Sequence, residues 1–175
     1  MDLSSSFVIY QQTFPSPIGL MVALANDSFL IFLGFLEDPL FNEVRRDLSK
    51  NGCFIHEKNK ILKTLFEQLE AYFSQRLRSF DIPIQQKGTP FQQTVWSFLQ
   101  AIPFGETLSY QEQSLLLALP KAIRAVANAN GANKILILIP CHRVVRKSGL
   151  LGGYRGGLNK KQWLLNHERL LLQKG

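Results

Sequence analysis

Between Asp81 and Pro90 the chain carries Pro83, Gly88 and Pro90, and the patterning on its two sides differs in kind. Proline removes a backbone donor and glycine removes restraint, so the stretch reads as a linker or a strand-like crossover. On its N-terminal side, Phe7 to Phe14, Leu20 to Ala25 and Phe29 to Phe35 are apolar runs, the last two separated by the turn-like triplet Asn26-Asp27-Ser28. They predict an antiparallel meander with the first run at an edge. Asp38 and Pro39 break the third run, and Glu43 to Lys50 predicts a short helix ending near Asn51-Gly52. From Lys58 to Phe80 the pattern is helical: Ile61, Leu62, Leu65, Leu69, Tyr72 and Phe73 form one apolar stripe. Stripe and sheet must cover one another, since neither buries its apolar face alone.

Beyond the linker the pattern is helical. Thr89-Pro90 places a capping hydroxyl before a proline at the first helical position, and Phe91, Val95, Phe98, Leu99 and Ile102 give that helix its buried side. Ser109 and Glu112 form a capping box for a helix to about Leu119. Pro120 breaks it, and a second helix runs from Lys121 to about Asn130, a helix-turn-helix shape also found in ordinary cores. Ile135 to Ile139 predicts a buried strand or extended segment, Gly149 to Gly157 holds five glycines around Tyr154 and Arg155, and Asn159 to Leu172 is a last helix. The expected organisation is a domain over residues 1–85, a linker to about 88, and a second domain over 89–175.

At 175 residues and 46% apolar content, the chain can bury a core in one domain or two small ones. No apolar run approaches a membrane span, so no membrane partner is expected. Asp2 without a basic run argues against a signal peptide. Two cysteines, Cys53 and Cys141, are too few for a disulfide framework or a cysteine-rich zinc site, which suggests free thiols in the cytoplasm. The net charge of +7 is unevenly placed: residues 1–88 hold nine basic and ten acidic side chains, residues 89–175 eleven and three. A field of one sign over one half attracts a polyanion, although many basic proteins bind nothing in particular.

Chemistry concentrates at Pro140-Cys141-His142-Arg143. Proline holds the cysteine, histidine can take or relay its proton, and the arginine's charge favours the thiolate. The other reading is a small buried core cysteine. Cys53, beside Gly52 with no basic neighbour before Lys58, reads as structural.

These residues, with Phe91 to Trp96, Ile102 to Thr107, Ser109-Tyr110, Arg124 to Val126, Asn128 to Gly131, Gly153 to Leu158 and Trp163-Leu164, resemble the O6-alkylguanine-DNA alkyltransferases, the DNA repair methyltransferases. Order and spacing are intact over roughly residues 88–172. The first 85 residues are only loosely similar to that family's ribonuclease-H-like domain. The fold the resemblance implies is α+β, with a small ribonuclease-H-like α/β domain followed by a mostly helical, winged-helix-like domain with a helix-turn-helix.

The resemblance implies a single-use DNA repair enzyme that flips the damaged base out and moves its alkyl group from guanine O6 to Cys141, with O4-methylthymine as a second candidate substrate. It implies a chain of thiol, histidine, water and glutamate, matched by His142 and Glu168, and an asparagine, Asn133, bracing the active-site turn. Tyr110 matches a tyrosine beside the flipped nucleotide that protonates guanine N3. Arg124 matches an arginine that fills the vacated stack. Tyr154 and Arg155 match the loop that cups the base, and the carbonyls of Cys141 and Val144 face its exocyclic amine. Lys121, Lys134, Arg146 and Lys147 are candidates for phosphate attraction. Double-stranded DNA containing O6-alkylguanine is the implied partner, the protein is expected to act as a monomer, and no cofactor or metal is expected.

Three positions depart from the family pattern: Ala127 where glycine is usual, Ala118-Leu119-Pro120 before the second helix, and Lys134 where proline commonly follows the asparagine. Two other function classes remain at this point. A non-catalytic alkylated-DNA recognition protein would lack the cysteine, which is present. A thiol hydrolase would leave the basic half unexplained.

Overall fold

The structure is a computed structural model and describes residues 7–172. The chain divides into two compact units, residues 1–86 and 87–175.

In the first unit, β1 (Phe7–Ser16), β2 (Gly19–Ala25) and β3 (Leu30–Phe35) form the expected meander. The sheet order is β3-β2-β1-β4, with β4 (Gly52–Ile55) parallel to β1. β1 is therefore interior, and the expectation of an edge strand is corrected. Four residues beginning at a glycine carry too little pattern to announce β4; only pairing with β1 makes them a strand. Helix α1 (Pro39–Leu48) begins where a break was expected. Asp38 caps it, its carboxylate accepting from Leu40 N at 3.0 Å, with Pro39 as its first residue. Helix α2 (Lys60–Phe73) is shorter than its pattern because Ser74 caps it and Gln75 turns left-handed at φ 62°.

Residues Met21 to Ala25 are all buried, so β2 is covered on both faces. Val22 and Leu24 pack with Phe41 and Val44 of α1, while α2 lies against β1 and β2. Ile84 of the crossover bridges Leu30, pairing the first residue of the β3 edge.

The second unit contains α3 (Pro90–Gln100), β5 (Leu108–Ser109), α4 (Tyr110–Leu116), α5 (Ile123–Gly131), a 3-10 turn at Cys141–Arg143, β6 (Val144–Val145) and α6 (Leu158–Leu172). Both predicted caps form: Thr89 with Gln92 on α3, and Ser109 with Glu112 on α4. Val95, Val126 and Ala129 bury α3 against α5, and Trp96 Nε1 donates to the Ala129 carbonyl at 2.8 Å. β5 pairs parallel with β6, Leu108 opposite Val144, which brings the start of α4 beside the strand leaving Cys141. The α4–α5 turn passes through Ala118 at φ 58°, a conformation better suited to glycine.

Residues 135–139 are not the predicted strand. Ile135, Leu136, Ile137 and Ile139 are buried and Leu138 half-buried, but the backbone folds on itself. Leu138 N donates to the Leu136 carbonyl at 2.9 Å, a γ-turn that holds Ile137 at φ 72°. Cys141 N donates to the Ile139 carbonyl at 2.8 Å, an inverse γ-turn around Pro140. A left-handed, β-branched residue costs about 1–3 kcal/mol and persists only where its surroundings insist on it.

Candidate active site

Asn133 supplies that insistence. Its carbonyl oxygen accepts from Ile135 N at 2.9 Å, while its amide donates to the Ile139 carbonyl at 2.8 Å and to Cys141 Sγ at 3.3 Å. One buried side chain thus closes the double turn and touches the sulfur it delivers. Cys141 is 7% exposed and lies at the wall of a pocket of about 500 Å³. Tyr110, Asn130, Arg146, Gly152, Tyr154 and Arg155 also line it. Burial pushes the Cys141 thiol up; the Asn133 amide and the charges of Arg155 and Lys161 oppose the rise without cancelling it. At neutral pH the sulfur is therefore held as a thiol and needs a base.

His142 is fully buried, and its Nε2 lies 2.9 Å from Glu168 Oε1. Burial works against the Glu168 charge. The hydrogen bonds and charges of His142 and Arg143 outweigh it and hold the carboxyl well below the usual carboxylate range. An ionised carboxylate only accepts, so Nε2 carries the imidazole proton. Burial pulls the His142 pKa down, which keeps the ring neutral and leaves Nδ1 as a bare acceptor. Among the described residues Nδ1 has no hydrogen-bond partner.

Two expectations are corrected here. No water separates histidine from glutamate, because their contact is direct. The Arg143 charge does not serve the thiolate either. Its Nε and Nη2 donate to the two Glu168 oxygens at 2.9 and 3.0 Å, and Nη1 donates to the Ile102 carbonyl at 2.6 Å. Gly105 N adds a fourth bond to the carboxylate at 3.0 Å. Arg143 braces the glutamate that orients the histidine.

The positive charge near the sulfur comes instead from Arg155 and from Lys161, a residue that sequence reasoning passed over. Lys161 is fully buried, and its Nζ donates to the Val144 carbonyl at 2.6 Å and to the Gly153 carbonyl at 3.3 Å. Burial lowers its pKa to about 8. Its sequence signal is weak: it follows Lys160 in the first turns of the last helix, and two adjacent lysines look like a solvated surface.

Tyr110 lines the pocket and donates to the Gly153 carbonyl at 3.3 Å. Burial and the nearby Cys141 raise its pKa, so it stays a phenol. The Arg155 guanidinium folds back onto the Asn133 carbonyl. Val144 is buried outside the pocket wall, and its carbonyl already accepts from Lys161. Arg124 is exposed on α5, away from the pocket lining, and Cys53 is an exposed free thiol. Among the described residues no group of histidine, cysteine and carboxylate side chains could hold a metal ion.

A thiol at a pocket wall next to a buried, oriented neutral imidazole, in a unit built on a helix-turn-helix, defines a protein with a thiol nucleophile. The comparisons agree. Residues 90–170 match the family described as 6-O-methylguanine DNA methyltransferase, DNA binding domain, and residues 9–86 match its ribonuclease-like domain. The methylated-DNA–protein-cysteine methyltransferase of Methanosarcina barkeri is 41% identical over 160 residues, covering 91% of this chain and 97% of that protein. The constitutive Bacillus subtilis protein of the same description is 44% identical over 162 residues, covering 92% and 96%. Among solved structures, Mycobacterium tuberculosis OGT in complex with DNA superposes with a TM-score of 0.81 at 38% identity, covering 93% of this chain and 94% of that one. The chain belongs to the 6-O-methylguanine DNA methyltransferase family.

Proposed function

We propose that this protein repairs DNA by direct reversal, moving the alkyl group of an O6-alkylguanine onto its own Cys141 after the base has been flipped into the pocket. The observation that carries this is the coincidence of one buried thiol, a bare imidazole acceptor and an open pocket within the helix-turn-helix unit. The Cys141 proton passes to His142 Nδ1, directly or through one water. The sulfur attacks the alkyl carbon, the S–C bond forms and the C–O6 bond breaks. The electron pair returns to the purine. Tyr110, held as a phenol, donates a proton to N3 and makes neutral guanine the leaving group. The thioether is a poor leaving group, so each molecule acts once.

Tyr154 and the Arg155 backbone cup the base in this reading, and the exposed Arg124 fills the gap in the stack. Val144 contributes by anchoring Lys161 behind the thiol and not as a wall of the pocket. Every group in the scheme comes from one chain, which supports a monomer, and its free thiols suit a reducing cytoplasm. The test is incubation with duplex DNA containing O6-methylguanine. The peptide holding Cys141 gains one methyl mass per molecule. Repaired DNA with an unmodified Cys141 peptide overturns the transfer, and binding without transfer favours a recognition protein.

A further inference from the structure

A buried amide pair joins the two helices of the helix-turn-helix. Gln113 on α4 is fully buried and Asn130 on α5 is 4% exposed. Gln113 Nε2 donates to Asn130 Oδ1 at 3.1 Å, and Asn130 Nδ2 donates to Gln113 Oε1 at 2.7 Å. Two reciprocal bonds fix both the distance and the rotation between two helices, which non-directional apolar contact does not. Directional control matters here because α5 has no side-chain cap at its start and is entered through the left-handed Ala118.

Both partners lead into the pocket. Tyr110, one turn before Gln113, lines it, and so does Asn130. The Asn130 carbonyl also accepts from Asn133 N at 3.3 Å, and the Asn133 amide touches Cys141 Sγ. A continuous path of hydrogen bonds therefore runs from Gln113 through Asn130 and Asn133 to the nucleophile. We infer that Gln113 and Asn130 are positioning residues whose reciprocal bonds set the gap between Tyr110 and the end of α5, and so the size of the O6 substituent that Cys141 can reach. This rests on the alkyl-transfer reading.

The test measures single-turnover transfer to Cys141 from guanine carrying O6-methyl or O6-benzyl. It uses the wild-type protein, Gln113→Asn, the exchange Gln113→Asn with Asn130→Gln, and the double replacement Gln113→Leu with Asn130→Leu. Replacing both amides by apolar groups leaves no buried orphan, so the double leucine variant keeps a near-native melting temperature. Its methyl-transfer rate falls about tenfold, because a small misplacement is costly in a displacement reaction. Its benzyl-to-methyl rate ratio shifts several-fold. Gln113→Asn shows the same shift, and the exchange, which restores the combined side-chain length, returns the ratio to the wild-type value. A purely structural role lowers both rates in proportion, and an unchanged ratio in all variants overturns the inference. Should the leucine variant not fold, Gln113→Asn and the exchange decide alone: equal ratios in both overturn it. Absence of mass gain on wild-type Cys141 is a separate result and defeats the transfer reading instead.

Discussion

Glu168 determines which nitrogen of His142 carries the proton. The 2.9 Å contact to Nε2, made by a carboxylate that Arg143 and Gly105 also hold, leaves the imidazole only one face with which to accept. Replacing Glu168 with glutamine lets an amide donate to Nε2 and turns the base away from its task, while Arg143 loses its counter-charge in a buried setting. Transfer falls by about 10²-fold or more, and stability by roughly 3 kcal/mol. The native carboxyl is held below its ordinary value of about 4.3. Its contribution is therefore whole above about pH 5 and drains away as the pH falls below about 4. Denaturant melts of both proteins from about pH 3 to about pH 7 check this: the gap between them closes toward acid, and a constant gap refutes the linkage.

Lys161 shifts stability in the same direction, in a separate alkaline window. Its folded pKa of about 8 lies below the roughly 10.4 of an unfolded lysine. The folded state gives up this proton first, so the unfolded chain binds more protons between those values. Native stability from this group therefore rises as the pH climbs from about 8 to about 10. In Lys161→Met that rise is absent. The difference in unfolding free energy between the two proteins, followed across this window, isolates the lysine from other titrating groups; parallel curves would show that its charge is not penalised.

Gly152 is confined by Tyr110. A Cβ placed there meets Tyr110 Cε2 at 2.5 Å and its hydroxyl at 2.7 Å. Gly152→Ala must move the phenol or the loop that carries Tyr154. Transfer from duplex DNA slows by about tenfold to a hundredfold, while the melting temperature changes little because the site is a loop against one movable side chain. A wild-type rate would mean that Tyr110 has no fixed post to keep.

Ala118 is the reverse case. It holds φ 58° on the exposed turn between α4 and α5. Ala118→Gly relieves the left-handed cost and gives back part of it as unfolded-state entropy. The net gain is about 0.5–1 kcal/mol. Thermal unfolding reads it directly, and a loss of stability would contradict the strain.

The two-part organisation was legible because each half has its own periodicity: alternating apolar runs and one helical stripe before the linker, capped helices after it. Caps are local chemistry between residues three positions apart, so Thr89 and Ser109 announced their helices. Asp38-Pro39 carries the same signal but reads in sequence as a break, since it follows a strand without a visible gap. The residues in and behind the pocket, Tyr110, Cys141, Tyr154 and Arg155 on its wall and Asn133 and His142 buried behind it, are named in the sequence through motif resemblance.

By itself, then, the sequence determined which side chains are candidates for the chemistry and in which half they lie, because residue type and order are properties of the chain. Tertiary structure decided what each group does for its neighbours. It made Arg143 a brace for Glu168, buried Lys161 behind the thiol, and bent Ile135 to Ile139 into turns. Charge and proton position depend on burial and on partners distant in the chain, such as Gly105 for Glu168 across 63 residues. A local pattern contains no record of such pairings; only the packed fold, where a polar group must find a partner or bear the cost of desolvation, fixes them.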